Sequence, residues 1–295
     1  MKIKTVLQST RPSFLVLSPV CVFLGLSTSL TTGVAVDYLL FSLIMTAALC
    51  AHISVNTINE YFDFKSGLDL KTEKTPFSGG SGALPDNPDM AKVVLSVGIL
   101  SLIITISIGA YIIMEQGIII LPIGIVGVVL IVTYTQWLNR IPLLCLIAPG
   151  LGFGVLMVAG THVLITGEHT TLPWLVSLIP FFLVNNLLLL NQYPDMKADA
   201  SVGRKTFPIV FGVSKSNFIY AAFFLTSYFL ILIYIIAGMI PKLAVITLLP
   251  MIFSLYALSG AIKYSSDIAD FPQYLGANVA ASILTPLLLG VTIII

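Results

Sequence analysis

Polar and apolar positions in this chain fall into long blocks, not a short alternation. Nine stretches lack Asp, Glu, Lys and Arg: residues 12–36, 38–59, 93–114, 116–139, 141–167, 169–194, 216–241, 243–262 and 271–295, each 20 to 27 residues long. A hydrocarbon layer of about 30 Å needs about 20 apolar residues at 1.5 Å rise, so each stretch predicts one membrane-spanning helix. The expected fold is all-α: a polytopic bundle of nine transmembrane helices forming a single domain over 1–295. All 27 charged residues lie in the other 78 positions.

Composition agrees, with 57% hydrophobic and 9% charged residues and a mean hydropathy of +1.04, where soluble domains carry about a quarter charged residues. A net charge of +1 offers no basic face for nucleic acid. Cys21, Cys50 and Cys145 stand alone in apolar segments and read as small hydrophobes. The basic start before the first apolar run resembles a secretory signal, but that run is too long and lacks a clean small-residue cleavage pattern, so it is taken as the first span.

With the N-terminus inside, 13 of the 14 Lys and Arg residues fall on the inner side and only Lys242 outside, which predicts an N-in, C-out topology. The outer connections are short. The inner connections 60–92 and 195–215 are long, charged and Gly-containing, and function is expected there. The absence of a transit-like leader favours a prokaryotic plasma membrane, with the active site toward the cytoplasm.

The second span exits through His52, Asn56, Asn59 and Asp63, spaced to share one helix face. The sixth exits through Asn191, Asp195 and Asp199, likewise four apart, and Asn59/Asn191 and Asp63/Asp195 share an offset of 132 residues. Polar groups at membrane depth are costly and usually face a cavity or each other. Solvated helix-end charges explain any one Asp, but flanking charges are normally Lys and Arg, not acidic pairs at helical spacing. Converging carboxylates and amides suit a hard cation such as Mg²⁺, completed by substrate phosphate oxygens. Pro194 predicts a kink or break beside Asp195. Lys74, Arg204, Lys205 and the Ser78–Gly82 run supply the cations and close backbone that a diphosphate needs, although the glycines alone also fit a linker.

The run Asn59-Glu-Tyr-Phe-Asp63-Phe-Lys-Ser-Gly-Leu-Asp69, with Asp195-Met-Lys-Ala-Asp199 followed by Gly-Arg-Lys-Thr, resembles the two aspartate-rich motifs of the UbiA superfamily of intramembrane prenyltransferases. Arg11-Pro12 and Tyr134-Thr135 extend the likeness over nearly the whole chain. The first motif is more similar to the 1,4-dihydroxy-2-naphthoate branch than to the 4-hydroxybenzoate branch, whereas Pro194 stands where that naphthoate branch is expected to carry Arg. The resemblance implies a cavity open laterally to the lipid bilayer, with Mg²⁺ as cofactor and an isoprenyl diphosphate and an aromatic acceptor as partners. It implies Asn59, Asp63 and Asp69 at one metal, Asp195 and Asp199 at a second, and Lys74, Asn191, Arg204 and Lys205 toward the diphosphate. Asp69 and Tyr134 are the candidates for orienting or deprotonating the acceptor, and His52 and Asn56 are cavity candidates. The expected activity is polyprenyl transfer in the biosynthesis of a menaquinone-type lipid quinone; 4-hydroxybenzoate or a non-aromatic archaeal lipid precursor are alternative acceptors.

Two other classes fit less well. A secondary transporter places such groups near the membrane midplane, whereas these lie at helix ends. A membrane phosphotransferase would carry its acidic motif on one continuous stretch. His162 is read as an interhelical hydrogen-bonding residue; Asn185 and Asn186 either line the cavity or bond neighbouring helices, with the structural reading preferred. Chain length of the prenyl group and oligomeric state are not encoded legibly.

Overall fold

The computed structural model describes residues 2–72 and 74–295, and among these there is no β-strand. Eight helices are long and apolar enough to cross a membrane: 12–30, 38–65, 88–116, 142–166, 171–191, 213–236, 242–270 and 272–294. The protein is thus an integral membrane protein. The fourth predicted span is helical over Ile118–Thr133 but shorter than the rest. Gly117 (φ 85°) ends the helix before it, Pro122 sits in its first turn, and Tyr134–Arg140 winds into turns after it. Sixteen residues make about 24 Å, short of the ~30 Å layer. Thr135, just beyond its end, accepts from Asn59 Nδ2 at 3.3 Å, so this short helix runs back to the level where the second span ends.

An amphipathic helix that the sequence reading did not anticipate, α1 (Lys2–Ser9), precedes the first span, in which α2 (Pro12–Leu15) and α3 (Leu17–Leu30) follow Arg11. α4 (Tyr38–Lys65) starts at Asp37, whose carboxylate accepts from the backbone of Leu39 and Leu40, filling orphan donors of its first turn. It continues six residues past its uncharged stretch, carrying Glu60 and Asp63 on helical backbone. α5 (Ala83–Asp86) and α6 (Ala91–Gln116) follow the Gly-rich loop, and α6 packs along α4. After α7 (Leu121–Thr133), the next span is composite: α8 (Pro142–Pro149), a π-helical segment over Gly150–Met157, and α9 (Val158–Thr166). π-segments are rare and recur at functional sites; here Gly152, Phe153, Leu156 and Met157 of that segment line the central cavity.

α10 (Thr171–Asn191) forms the core with α13 (Val213–Ile236) and α15 (Pro272–Ile294), through buried Leu183, Leu190, Tyr220, Phe224, Leu275 and Leu289. Between α10 and α13 lie the short α11 (Met196–Ser201) and α12 (Phe207–Phe211), and α14 (Met251–Tyr264) packs between α13 and α15. Buried amides and hydroxyls stitch these helices together. Asn186 Nδ2 donates to the Tyr220 carbonyl (2.8 Å), Asn278 Nδ2 to the Asn186 carbonyl (3.0 Å), and the Tyr220 hydroxyl to Asn278 Oδ1 (2.9 Å). Asn185 Oδ1 accepts from Gly150 N, and Thr28 and Thr170 flank the His162 ring nitrogens. The structural role read for these residues is what is found. Exposed Ile99, Ile103, Ile125, Val129, Leu232 and Ile252 face outward as apolar surface, which a bilayer accommodates.

Candidate active site

A cavity of about 400 Å³ opens among α3, α4, α6, α7, the π-segment and α10. Its inner part is apolar and made roomy by Ala47, Ala48, Ala51, Gly109, Gly124 and Gly127, whose side chains leave the space that larger residues would fill. Its mouth is charged. His52, Asn56, Asn59, Asp63, Asp69, Tyr134, Asn191, Asp195, Asp199 and Arg204 all line this one cavity, so ten of the twelve residues singled out by sequence meet there. Lys74 and Lys205 do not line it; both are exposed. The Lys74 ammonium lies against Gly82, and the Lys205 backbone N–H donates to the Asn139 carbonyl at 2.9 Å.

The two motifs arrive differently. On α4 the uninterrupted helix carries His52, Asn56, Asn59 and Asp63 to the cavity at intervals of three and four, as expected. The second motif does not share one helical face: α10 stops at Asn191, the chain turns through Gln192–Pro194, and α11 begins after Asp195. Proline without its N–H breaks the ladder at that place. Asp195 and Asp199 remain together through the Asp199 N to Asp195 O bond of 2.8 Å.

Arg204 joins the two clusters. Its Nη1 donates to Asp199 Oδ1 at 3.0 Å and its Nη2 donates to Asp63 Oδ1. Burial works against this guanidinium, and the attraction of Asp63 and Asp199 overcomes it, holding Arg204 above the ordinary arginine range. Burial pushes the Asp69 carboxyl up to about 8, reinforced by the negative charges of Glu60 and Asp63. Burial also raises Asp199 to about 6, partly opposed by Arg204, and raises Asp195 against the hydrogen bond from Gly79 N (3.0 Å). Burial lifts the Tyr134 phenol well above its usual range.

Several residues here were not foreseen. Arg11, in the left-handed region at φ 53°, lines the cavity, donates to Asn59 Oδ1 at 3.3 Å and lies 3.7 Å from Glu60 Oε2. Non-glycine residues held at positive φ cluster at functional sites. Glu60, fully buried, receives the Ser81 hydroxyl and the Ser81 N–H, anchoring the Gly-rich loop. Gly80 (φ 73°) presses on the Asp69 carboxylate: a Cβ there would stand 2.7 Å from Asp69 Oδ1. Ser78, Gly79 and Gly80 line the cavity and Ser81 anchors the loop to Glu60, so the run is a fitted segment and not a linker. Glu60 inside the first acidic motif and the glycines after it were visible signals; Arg11, 48 residues before Asn59, and Asn139, Gln192 and Thr206, also in the wall, gave none.

Among the described residues, no three His, Cys, Asp or Glu side chains converge closely enough to hold a metal ion by themselves. The donor set still fits a divalent cation. Glu60, Asp63, Asp69, Asp195 and Asp199 face only Arg11 and Arg204 in the ion pairs of this region, and Asp69 Oδ2 is buried without a partner. Buried charge of this kind is normally paired or bound to metal, and Mg²⁺ needs only one or two carboxylates where substrate phosphate supplies the rest.

An integral membrane protein with a deep apolar cavity, its charged groups gathered at one end, is the class that fold and site define. The chain belongs to the UbiA prenyltransferase family, whose profile matches residues 16–280, and is a prenyltransferase. It is 30% identical over 237 residues to 1,4-dihydroxy-2-naphthoate octaprenyltransferase of Bacillus subtilis (strain 168), covering 78% of this chain and 73% of that protein. It is 26% identical to UbiA prenyltransferase domain-containing protein 1 of Dictyostelium discoideum over 77% of this chain and 70% of that one. A UbiA homologue from Archaeoglobus fulgidus, solved bound to DMAPP and Mg²⁺, matches with a TM-score of 0.66 at 16% identity over 98% of this chain and 99% of that one; at that identity the likeness shows the fold. Membership of this family answers the transporter alternative in favour of an enzyme.

Proposed function

We propose that the protein transfers a polyprenyl group from an isoprenyl diphosphate to an aromatic acceptor, 1,4-dihydroxy-2-naphthoate, in the biosynthesis of a menaquinone-type quinone. The observation that carries this reading is the meeting of two acidic helix ends around Arg204 at the mouth of an apolar cavity. The Bacillus subtilis relative supports the acceptor, and the ligands of the Archaeoglobus fulgidus homologue support the donor and the metal.

Asp63, Asp69, Asp195 and Asp199, with Asn59, would hold Mg²⁺, which when bound supplies positive charge to the diphosphate. Arg204 and Arg11 add fixed positive charge at the same end, stabilising the negative charge that grows on the leaving oxygen as the allylic C–O bond breaks and its electron pair departs with diphosphate. The apolar inner cavity takes the prenyl tail and keeps water from the allylic cation. A ring carbon of the acceptor then bonds to the prenyl carbon, and the ring regains aromaticity by losing a proton, or carbon dioxide where a carboxylate occupies that carbon. We place the 1–295 chain as one domain of nine crossings, Ile118–Thr133 included, N-terminus in and C-terminus out, with this mouth on the cytoplasmic side of a prokaryotic plasma membrane.

The test is a transfer assay on detergent-purified protein with Mg²⁺, labelled isoprenyl diphosphates of several lengths, and 1,4-dihydroxy-2-naphthoate, 4-hydroxybenzoate and other acceptors. A labelled lipid product with the dihydroxynaphthoate alone supports the reading. Transfer only to other acceptors sinks the naphthoate assignment.

A further inference from the structure

Three residues in the cavity wall outside both aspartate motifs bury an oxygen that has no hydrogen-bond partner: Asn139 Oδ1, Gln192 Oε1 and Thr206 Oγ1. These residues are 5%, 8% and 2% exposed. Each amide nitrogen already has a partner: Asn139 Nδ2 donates to the Thr135 carbonyl, and Gln192 Nε2 to Cys145 Sγ at 3.4 Å. What has no partner at all is oxygen: two amide oxygens that only accept, and the Thr206 hydroxyl, which can accept or donate.

The three belong to one patch. Gln192 contacts Cys145, and Cys145 and Tyr134 line the same cavity. Asn139 N donates to the Tyr134 carbonyl at 3.2 Å, and the Asn139 carbonyl receives Lys205 N, the residue before Thr206. Leaving a buried polar atom unpaired costs about 1–3 kcal/mol, and native structures contain few such atoms. Three in one wall of a ligand cavity mark a place where a ligand completes the bonding.

The chemistry of the missing partner follows from the kind of atom left over. Phosphate and carboxylate oxygens only accept, so they are repelled by amide oxygens; Arg11 and Arg204 lie in the same cavity to take them. A prenyl chain offers no donor at all. A hydroxyl does. Resting on the aromatic acceptor proposed above, we infer that Asn139, Gln192 and Thr206 form the acceptor-binding face, receiving the phenolic hydroxyls of a dihydroxy aromatic ring. A phenol that donates to an amide oxygen leaves more electron density on its ring, which is what a carbon nucleophile for an allylic cation needs. This face also discriminates: a ring whose hydroxyls are blocked as methyl ethers leaves the same oxygens unpaired.

The experiment measures binding without turnover, by quenching of aromatic fluorescence on the full chain in detergent. The probes are 1,4-dihydroxy-2-naphthoate and its 1,4-dimethoxy counterpart; binding of inorganic diphosphate with Mg²⁺ is followed in parallel. The parent should prefer the dihydroxy ring by about tenfold or more, the effect of about one unsatisfied pair. Gln192→Leu and Thr206→Val should each reduce that preference severalfold and leave diphosphate binding within twofold. Thr206→Val changes one hydroxyl to a methyl and carries the test if Gln192→Leu fails to fold. Preference retained in a folded Thr206→Val protein, or no preference in the parent, overturns the inference while leaving aromatic transfer standing. Binding of neither ring, with Mg²⁺-dependent diphosphate binding intact, overturns the aromatic acceptor itself and this face with it.

Discussion

Arg204 places Nη1 3.0 Å from Asp199 Oδ1 and gives Nη2 to Asp63 Oδ1, 141 residues earlier in the chain, so one guanidinium ties together the two acidic motifs. Removing one partner of such a buried set leaves uncompensated charge and typically costs about 3–5 kcal/mol. Arg204→Gln should lower the thermal midpoint in chelator, and added Mg²⁺ should recover more of it than in the parent, because the freed carboxylates are then open to the cation. Thermal unfolding with and without Mg²⁺ checks this; an unchanged midpoint in chelator would show that the guanidinium contributes nothing to holding the motifs.

Asp63→Ala and Asp195→Ala should each abolish Mg²⁺-dependent prenyl transfer while the protein stays folded in detergent. Each lines the cavity mouth from a different helix end. Turnover and size-exclusion profiles measured together give the answer, and full activity in both variants would sink the assignment of these residues to the diphosphate site.

The Asp69 carboxyl, raised to about 8 chiefly by burial, gives a pH dependence of definite sign. Between the unfolded value near 4 and about 8 the folded state binds more protons than the unfolded one, so this group makes metal-free stability fall as pH rises through that window. Asp69→Asn should flatten the fall. Thermal midpoints in chelator at pH 5 and pH 8 decide it; an equally steep fall in the variant assigns the effect elsewhere.

Gly80→Ala should impair transfer, because the backbone at φ 73° strains a side chain and the new Cβ would meet Asp69 Oδ1 at 2.7 Å. We expect a raised KM for the isoprenyl diphosphate with a modest change in midpoint. Gly238→Ala, where the backbone is likewise left-handed at φ 69° but a Cβ meets nothing within 4 Å and the residue does not line the cavity, is the matched control, and equal behaviour of the two would remove the loop from the site.

Asn278→Leu should act on stability alone. It removes the bonds to the Tyr220 hydroxyl and the Asn186 carbonyl, interhelical contacts of a kind worth about 0.6–2 kcal/mol each in membranes. The midpoint should drop while KM for both substrates is unchanged, since none of these residues lines the cavity.

The membrane-spanning character of this protein was legible in sequence because the bilayer imposes a length and a polarity on every crossing, and the uncharged stretches show both. The face carrying His52, Asn56, Asn59 and Asp63 was legible for the same local reason: helical spacing alone decides it. The uncharged stretch 116–139 ran past the residues that keep helical backbone, Ile118–Thr133, while the break that Pro194 signalled falls where α10 ends, so the equally spaced Asn191, Asp195 and Asp199 do not lie on one continuous helix. What only the tertiary structure decided is which distant groups share a cavity. Lys74 and Lys205 look as suitable as Arg204 in a string of letters, yet the fold brings the half-buried arginine onto Asp63 and Asp199 in the cavity wall and leaves both lysines exposed outside it. Asn139, Gln192 and Thr206 carry no local signal, because a buried oxygen lacks a partner only when surrounding helices have taken water away from it. Spacing along one helix is a local property, whereas charge pairing and unsatisfied hydrogen bonds belong to the packed bundle.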